Sequence, residues 1–447
     1  MTSASLPAVY RLVQQWDQPE IPDVAEAVRQ AILSSRLRQR LRPRARVAVA
    51  VGSRGIYQIA ELARSTVQTL RELGAEPFVV AAMGSHGGAT AEGQRELLAS
   101  YGVTESFLGV PVRTEMEVVE IGRNSWGEPV YWDRHAYEAD AVVTLSRIKP
   151  HTDFRGRYES GVVKMLVIGL GKRAGAETHH KYGVRGLRDM IPESAKVVLA
   201  RTRFALGLAI LENARERTAR IVPLEPEEVL EREPALLEEA RRLLPRIPFK
   251  QLDLLVVGEL GKNYSGTGMD VNILGRQLVE GERDTLDPCI TRICVLDVSE
   301  ESHGNAVGVG LADLTTHRLL AKMDRRITDV NALTSCFLLR TKIPHALPND
   351  RECILMGLRT CWQPRLERVR FALIPNTLQL ETIYITAPLV EEIRQRQRTG
   401  DLPGDLRIHV DDTPIALPFD EQGNLIQERL FPESVRALRN RVHVSVV

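Results

Sequence analysis

This 447-residue chain has no excess of either charge: Lys and Arg total 59 against 58 Asp and Glu, a net charge of +1. A surface so balanced offers no electrostatic footprint for nucleic acid or for an anionic membrane. Long apolar runs are lacking as well, and no stretch approaches the roughly 20 apolar residues that span a bilayer. The opening segment MTSASLPAVYRLVQQWDQPE lacks the basic start and apolar core of a secretory signal. Cysteines are few: Cys289, Cys294, Cys336, Cys353 and Cys361 are odd in number, confined to the second half and without CxxC spacing. That pattern argues against a disulfide framework or a cysteine-bound metal and fits reduced thiols, so a cytoplasmic protein is expected.

What is present is an alternation of strand and helix signals. RVAVAV (46–51) reads as a strand leaving through GSRG, followed by helical spacing over Ile56–Leu73. EPFVVAAM (76–83) is a second strand, GSHGGAT its exit loop, and AEGQRELLASYG a helix. ADAVVTL (139–145) is a third, and KVVLA (196–200) reads as another. The charged, proline-bearing segment around 224–250 reads as a link, after which LDLLVVGEL (252–260), ITRICVLDV and LETIYITA are strand candidates. The expected fold is two α/β domains with mostly parallel sheets and an active-site cleft between them. Boundaries are expected at residues 1–248 for the first domain and 249–447 for the second, whose last segment is free to pack back on the first.

The densest chemistry lies in SRIKPHTDFRGRYESGVVKMLVIGLGKRAGAETHH, Ser146–His180, which holds three of the ten histidines. His151 follows the strand's carboxyl end, where ligands collect in α/β sheets. Lys164 lies among Gly161, Val162, Val163 and Met165, an apolar setting that favours its neutral, nucleophilic form. Three strand-exit loops each present a polar residue among small ones: Arg54, His86 and His151. Exits of neighbouring parallel strands lie on one edge, so the three can converge; the plainer alternative is an Arg54 paired on the surface and two satisfied loop histidines. GLGKRAG (169–175) resembles a phosphate cradle through Gly169 and Gly171 but matches no nucleotide fingerprint, and by itself a tight turn explains it. His179 and His180 point about 100° apart on a helix, so at most one faces a given site. One histidine makes no tight metal site, so a metal there would bring ligands of its own.

With these residues in hand, the chain resembles the nickel-dependent lactate racemases and their wider superfamily of 2-hydroxyacid racemases and epimerases. The family's arginine after the first strand is matched by Arg54, and its histidine and threonine in the next exit loop by His86 and Thr90. Its Pro-His, downstream lysine and later histidine are matched by Pro150 and His151, Lys164 and His180. The interval of sixteen positions from Lys164 selects His180 over His179. The likeness is clear from about Arg46 to His180 and looser beyond.

The resemblance implies a cytoplasmic isomerase carrying a nickel-pincer nucleotide, with Lys164 as its covalent tether and His180 as the nickel ligand. Ser53, Gly169 and Gly171 would complete the cofactor's cradle. It casts His86 and His151 as acid/base groups on opposite faces of a 2-hydroxy acid, and Arg54 as the holder of its carboxylate or oxyanion. Its implied partners are that small acid and the enzymes that mature the cofactor. Several positions depart from the family: Val51 replaces an aspartate, Gly87 an arginine, and three extra residues separate His151 from Lys164. The second domain offers Asp270, Asn272 and Arg276 for substrate in place of the family's glutamine and lysine, which argues against lactate itself and toward a larger or more polar acid. Two other readings stand beside this one: a cofactor carrier without turnover, and a metal hydrolase built on His86, His151 and His180.

Overall fold

A computed structural model describes residues 6–53 and 55–433. In chain order the strands are β1 (Tyr10–Trp16), β2 (Arg46–Val51), β3 (Glu76–Ala81), β4 (Val112–Arg113), β5 (Val118–Arg123), β6 (Pro129–Asp133), β7 (Ala141–Arg147), β8 (Phe204–Glu212) and β9 (Thr218–Leu224). They continue as β10 (Gln251–Leu260), β11 (Cys289–Val298), β12 (Leu314–Thr316), β13 (His345–Leu347), β14 (Phe371–Ile374), β15 (Thr382–Ile385) and β16 (Leu406–Val410). The described residues form two compact units, one from Gln18–Leu244 and the other from residues 6–17 together with residues 245–433.

The Gln18–Leu244 unit is built on a six-stranded sheet of order β4-β3-β2-β7-β8-β9, parallel except for β9, with β5 and β6 as a separate hairpin. Strand β2 shows why it forms. In RVAVAV the valines 47, 49 and 51 join one apolar core with Ile59, Leu62, Val67 and Leu70 of the helix Ile59–Glu72, while the intervening Ala48 and Ala50 point to the other face. Small residues on that second face let backbone approach closely. At Gly207 of β8, for example, an added Cβ would stand 2.9 Å from Val162 Cγ1.

The other unit has an eight-stranded sheet of order β13-β12-β11-β10-β14-β15-β1-β16, parallel from β13 to β14 and antiparallel beyond. The sequence reading assigned residues 1–248 to the first domain; β1 instead pairs with β15 and β16, and the division falls at Leu244/Pro245.

One element differs in type. KVVLA, read as a strand, lies in the helix Ile191–Arg201, whose buried residues Ile191, Ser194, Ala195 and Val198 follow helical spacing with Pro192 in the first turn. Five apolar residues fit either period; the longer spacing that begins at Ile191 decides for helix. Among the described residues no helix is long and apolar enough to cross a membrane.

Candidate active site

Strands β3, β2 and β7 are adjacent and parallel, so their exits open on one edge of the sheet. Ser53 follows β2 and His86 follows β3, and the two meet: Ser53 Oγ is hydrogen-bonded to His86 Nδ1. His151 follows β7 and is 4% exposed, with its Nε2 against Lys164 Nζ. Lys164 ends the short helix Val162–Lys164, which continues as a π-helical turn, Met165–Gly169, and then as the helix Lys172–His180. That segment lies directly on the strand exits. A Cβ on Gly52 would stand 2.9 Å from Met165 Cε, and one on Gly84 3.2 Å from Ile168.

A buried polar group fixes each of these loops. At the β2 exit Glu212 accepts from Tyr57 N at 2.7 Å and pairs with Arg147 at 2.8 Å, while Arg147 donates to Gly55 O. Arg54, the residue this loop was expected to present, lies outside the described residues. At the β3 exit Gln94 Nε2 donates to Gly84 O (3.1 Å) and His86 O (3.2 Å). Behind Gln94 stands Lys172, fully buried at the start of the His180 helix, donating to Ala81 O at 2.6 Å and paired with Asp133 at 3.2 Å. Burial lowers its pKa, and Asp133 opposes that shift. At the β7 exit Glu159 accepts from His151 N (2.6 Å), Gly156 N (3.0 Å) and Arg241 (2.6 Å). Apart from Lys172, which lies in GLGKRAG, none of these supporting residues carried a motif in the sequence; each earns its place through contacts across the chain.

Glu233 is the most exacting of them. Its carboxylate accepts from Val163 N at 3.0 Å at the start of the Lys164 helix, and its Oε1 is buried without a partner. Gly161 is required beside it, because a Cβ there would stand 2.4 Å from Oε1. Burial pushes this carboxyl up to about 7, against the pull of the Val163 and Val162 amides. A carboxyl raised in the fold above its unfolded value of 4.5 gives stability that is full below pH 4.5 and lost as pH rises through about 7. The span of the shift corresponds to about 3 kcal/mol. Glu233→Gln keeps an acceptor for Val163 N without the charge, so at pH 8 the variant is expected to be more stable than the parent by up to that amount, and at pH 4.5 no more stable. Denaturant unfolding at the two pH values checks this; an equal difference at both would refute it.

The histidine pair divides as the helix geometry requires. His179, 1% exposed, is hydrogen-bonded through Nδ1 to Gly175 O at 2.8 Å and through Nε2 to Ser194 Oγ at 2.9 Å. Burial drives its pKa down to about 4, so it is a neutral core residue. His180, about 100° further around the helix, is half-buried. Burial first, and Lys164 second, lower its pKa, with Asp153 opposing. A neutral imidazole is the form that ligates a metal. Among the described residues no three His, Cys, Asp or Glu side chains converge as a metal cage, so the donor set here is one neutral imidazole beside one lysine amine. It fits a metal brought in by a tethered ligand.

The remaining expectations fare unequally. Gly169 and Gly171 are packing positions more than a cradle: an added Cβ would stand 2.8 Å from Ala82 O at the first and 2.1 Å from Val167 O at the second. Asp270 caps a short helix, accepting from Asn272 N at 2.9 Å, and its own N–H donates to Thr377 Oγ1 at 2.8 Å. Asp270 and Asn272 therefore sit beyond the carboxyl ends of β10 and β14. Arg276 does not: its guanidinium donates to Leu311 O, Ile290 O and the Asp313 carboxylate, at the amino ends of β11 and β12. It pins loops at the edge of the sheet away from the strand exits, because Gly275 in the left-handed region turns the chain there.

With the geometry in place, comparison with known proteins is informative. Residues 6–188 match the lactate racemase N-terminal domain family. The structure is similar to that of the lactate racemase apoprotein from Thermoanaerobacterium thermosaccharolyticum, with a TM-score of 0.51 and 13% identity over 80% of this chain and 92% of that one. At that identity the likeness speaks for the fold. No curated protein matches the chain.

Proposed function

From the match of residues 6–188 to the lactate racemase N-terminal domain family, we propose that the chain is a racemase or epimerase of a 2-hydroxy acid that works with a nickel-pincer nucleotide. The observation that carries this reading is the cluster of Lys164 Nζ on His151 Nε2, with a neutral His180 close by and the Ser53–His86 pair on the neighbouring exits. Lys164 would hold the cofactor covalently and His180 would ligate its nickel; when bound, the cofactor supplies a site that takes up and returns hydride. The protein's own part is proton transfer and positioning. One histidine takes the hydroxyl proton as the carbinol carbon loses hydride, and after the planar 2-oxo acid has turned over, the other returns a proton. Ser53, bonded to Nδ1 of His86, orients that ring. Arg54 would hold the substrate carboxylate. Burial of His151 and exposure of His86 give the two bases different surroundings, which suits two faces of one carbon.

The test is co-expression with cofactor-maturing enzymes, followed by whole-protein mass, nickel analysis and a racemisation screen over 2-hydroxy acids. A mass increase on Lys164 with nickel and scrambling of a chiral acid is the expected result. Cofactor without turnover would make the protein a carrier, and neither would end the proposal. Within it, His180→Ala is expected to lose nickel with the fold unchanged. His179→Ala should keep the ligand but destabilise the protein by about 2–4 kcal/mol, because it opens a cavity and removes the side-chain hydrogen bonds to Ser194 Oγ and Gly175 O. Nickel retained by His180→Ala and lost from a folded His179→Ala would exchange their roles.

A further inference from the structure

The loop that carries His151 is held by one element that no sequence motif marked. Lys149 and Ser160 exchange backbone hydrogen bonds, both at 3.1 Å, and close residues 150–159 into a compact loop between β7 and the Lys164 segment. Three contacts join that loop and segment to the helix Val229–Leu243. Tyr158 Oη donates to Leu230 O at 2.6 Å, Arg241 donates to Glu159 at 2.6 Å, and Glu233 accepts from Val163 N at 3.0 Å. Tyr158, Glu159 and Glu233 are all buried. Each contact reaches a group of the candidate site through a single further link, because Glu159 also holds His151 N and Val163 directly precedes Lys164. Pro234 explains why Leu230 O is open to an outside donor. In a regular helix that carbonyl accepts from the N–H four residues on, which is position 234; proline has no N–H, and its ring crowds the same carbonyl. The outside donor is Tyr158. Glu233 and Arg241 are eight positions apart, about 80° around the helix, so they reach the loop and the Lys164 segment from one face.

We propose that the helix Val229–Leu243 is a clamp for the His151 side of the site, with Tyr158 as a positioning residue: the Tyr158–Leu230 bond, opened by Pro234, sets Glu159 and through it His151 against the Lys164 segment that Glu233 holds. Tyr158 and Glu159 are neighbours in the chain, so docking the one places the other. His86 lies outside the clamp, since its own loop is held by Gln94. An interior proline weakens a helix, and here the open carbonyl serves the site at the helix's expense. The inference rests on the two-histidine reading above, yet its first test needs neither cofactor nor substrate, so the two can fail separately.

The full chain without cofactor is compared with Tyr158→Phe and Pro234→Ala by hydrogen–deuterium exchange and thermal unfolding. Tyr158→Phe keeps the ring and removes the O–H, so amides of residues 151–163 should exchange about fivefold faster, the effect of one hydrogen bond, while those of the β2 and β3 exits keep the parent rate. Pro234→Ala returns an N–H to Leu230 O, so the same amides should exchange faster although the unfolding midpoint rises. Unchanged exchange over 151–163 in either variant, or a gain spread evenly along the chain, would overturn the clamp. The second reading is a single turnover of the cofactor-loaded protein with each enantiomer of a 2-hydroxy acid. Tyr158→Phe should slow oxidation of one enantiomer about tenfold, the one that His151→Ala also loses, and leave the other near the parent rate. A side chain that only stabilised the fold would slow both alike, and that result would remove Tyr158 as a positioning residue. If the loaded parent turns over neither enantiomer, the two-histidine reading falls while exchange still decides the clamp.

Discussion

Lys164→Ala is expected to lose the covalent mass increase, the bound nickel and all racemisation together, while its unfolding midpoint stays near that of the parent. The side chain is half-buried and Nζ meets His151 at the sheet edge, so its removal leaves the Val162–Gly169 backbone on the strand exits undisturbed. Lys164→Arg should fail as completely, because a guanidinium stays protonated and is no nucleophile. This variant separates charge from chemistry: a cation that merely attracted an anionic cofactor would be replaced by arginine with a modest loss. Mass spectrometry and metal analysis of the co-expressed variants decide it, and nickel held covalently by either one would remove Lys164 from the mechanism.

The second large effect concerns His86 and His151. Each general acid/base group contributes about 10²- to 10⁴-fold, so either alanine variant should lose racemisation by that order at full cofactor loading. The two losses should differ in kind. With one base gone, the remaining histidine still serves one face, so a single enantiomer is oxidised once and the 2-oxo acid accumulates to no more than one equivalent. His86→Ala and His151→Ala should therefore favour opposite enantiomers in a single-turnover assay. The supports differ as well: His86 is exposed and replaceable, whereas His151→Ala also removes the stack on Phe154 and the partner of Lys164. Racemisation near the parent rate in either variant would end the two-base mechanism.

Much of the site was legible in the sequence because strand exits are local features. A short apolar run followed by glycine and one polar residue states both where a strand ends and what it presents, and β2, β3 and β7 end where RVAVAV, EPFVVAAM and ADAVVTL place them to within two residues. The spacing of His179 and His180 on one helix likewise stated that only one could face the site. The error at KVVLA has the same root, since a run of five apolar residues carries no period of its own and its helix is declared only by residues further upstream.

What tertiary structure alone decided is the company each residue keeps. Lys172, Gln94, Glu159, Glu233 and Glu212 look like ordinary surface residues in sequence, and all of them are buried where they hold a strand-exit loop or the Lys164 helix. Burial makes an unpaired polar group costly, so such residues are placed by partners up to tens of positions away, as Lys172 is by Ala81 and Val163 by Glu233. Asp270 and Arg276 are six positions apart and read alike in sequence, yet the left-handed turn at Gly275 sends one toward the strand exits and the other to the opposite edge. The sequence by itself determined which groups could do chemistry and on which loops they ride. Which of them meet, and in which protonation state, depended on the packing of the chain from Lys164 to His180 against three strand ends, a consequence of long-range contact that no local spacing encodes.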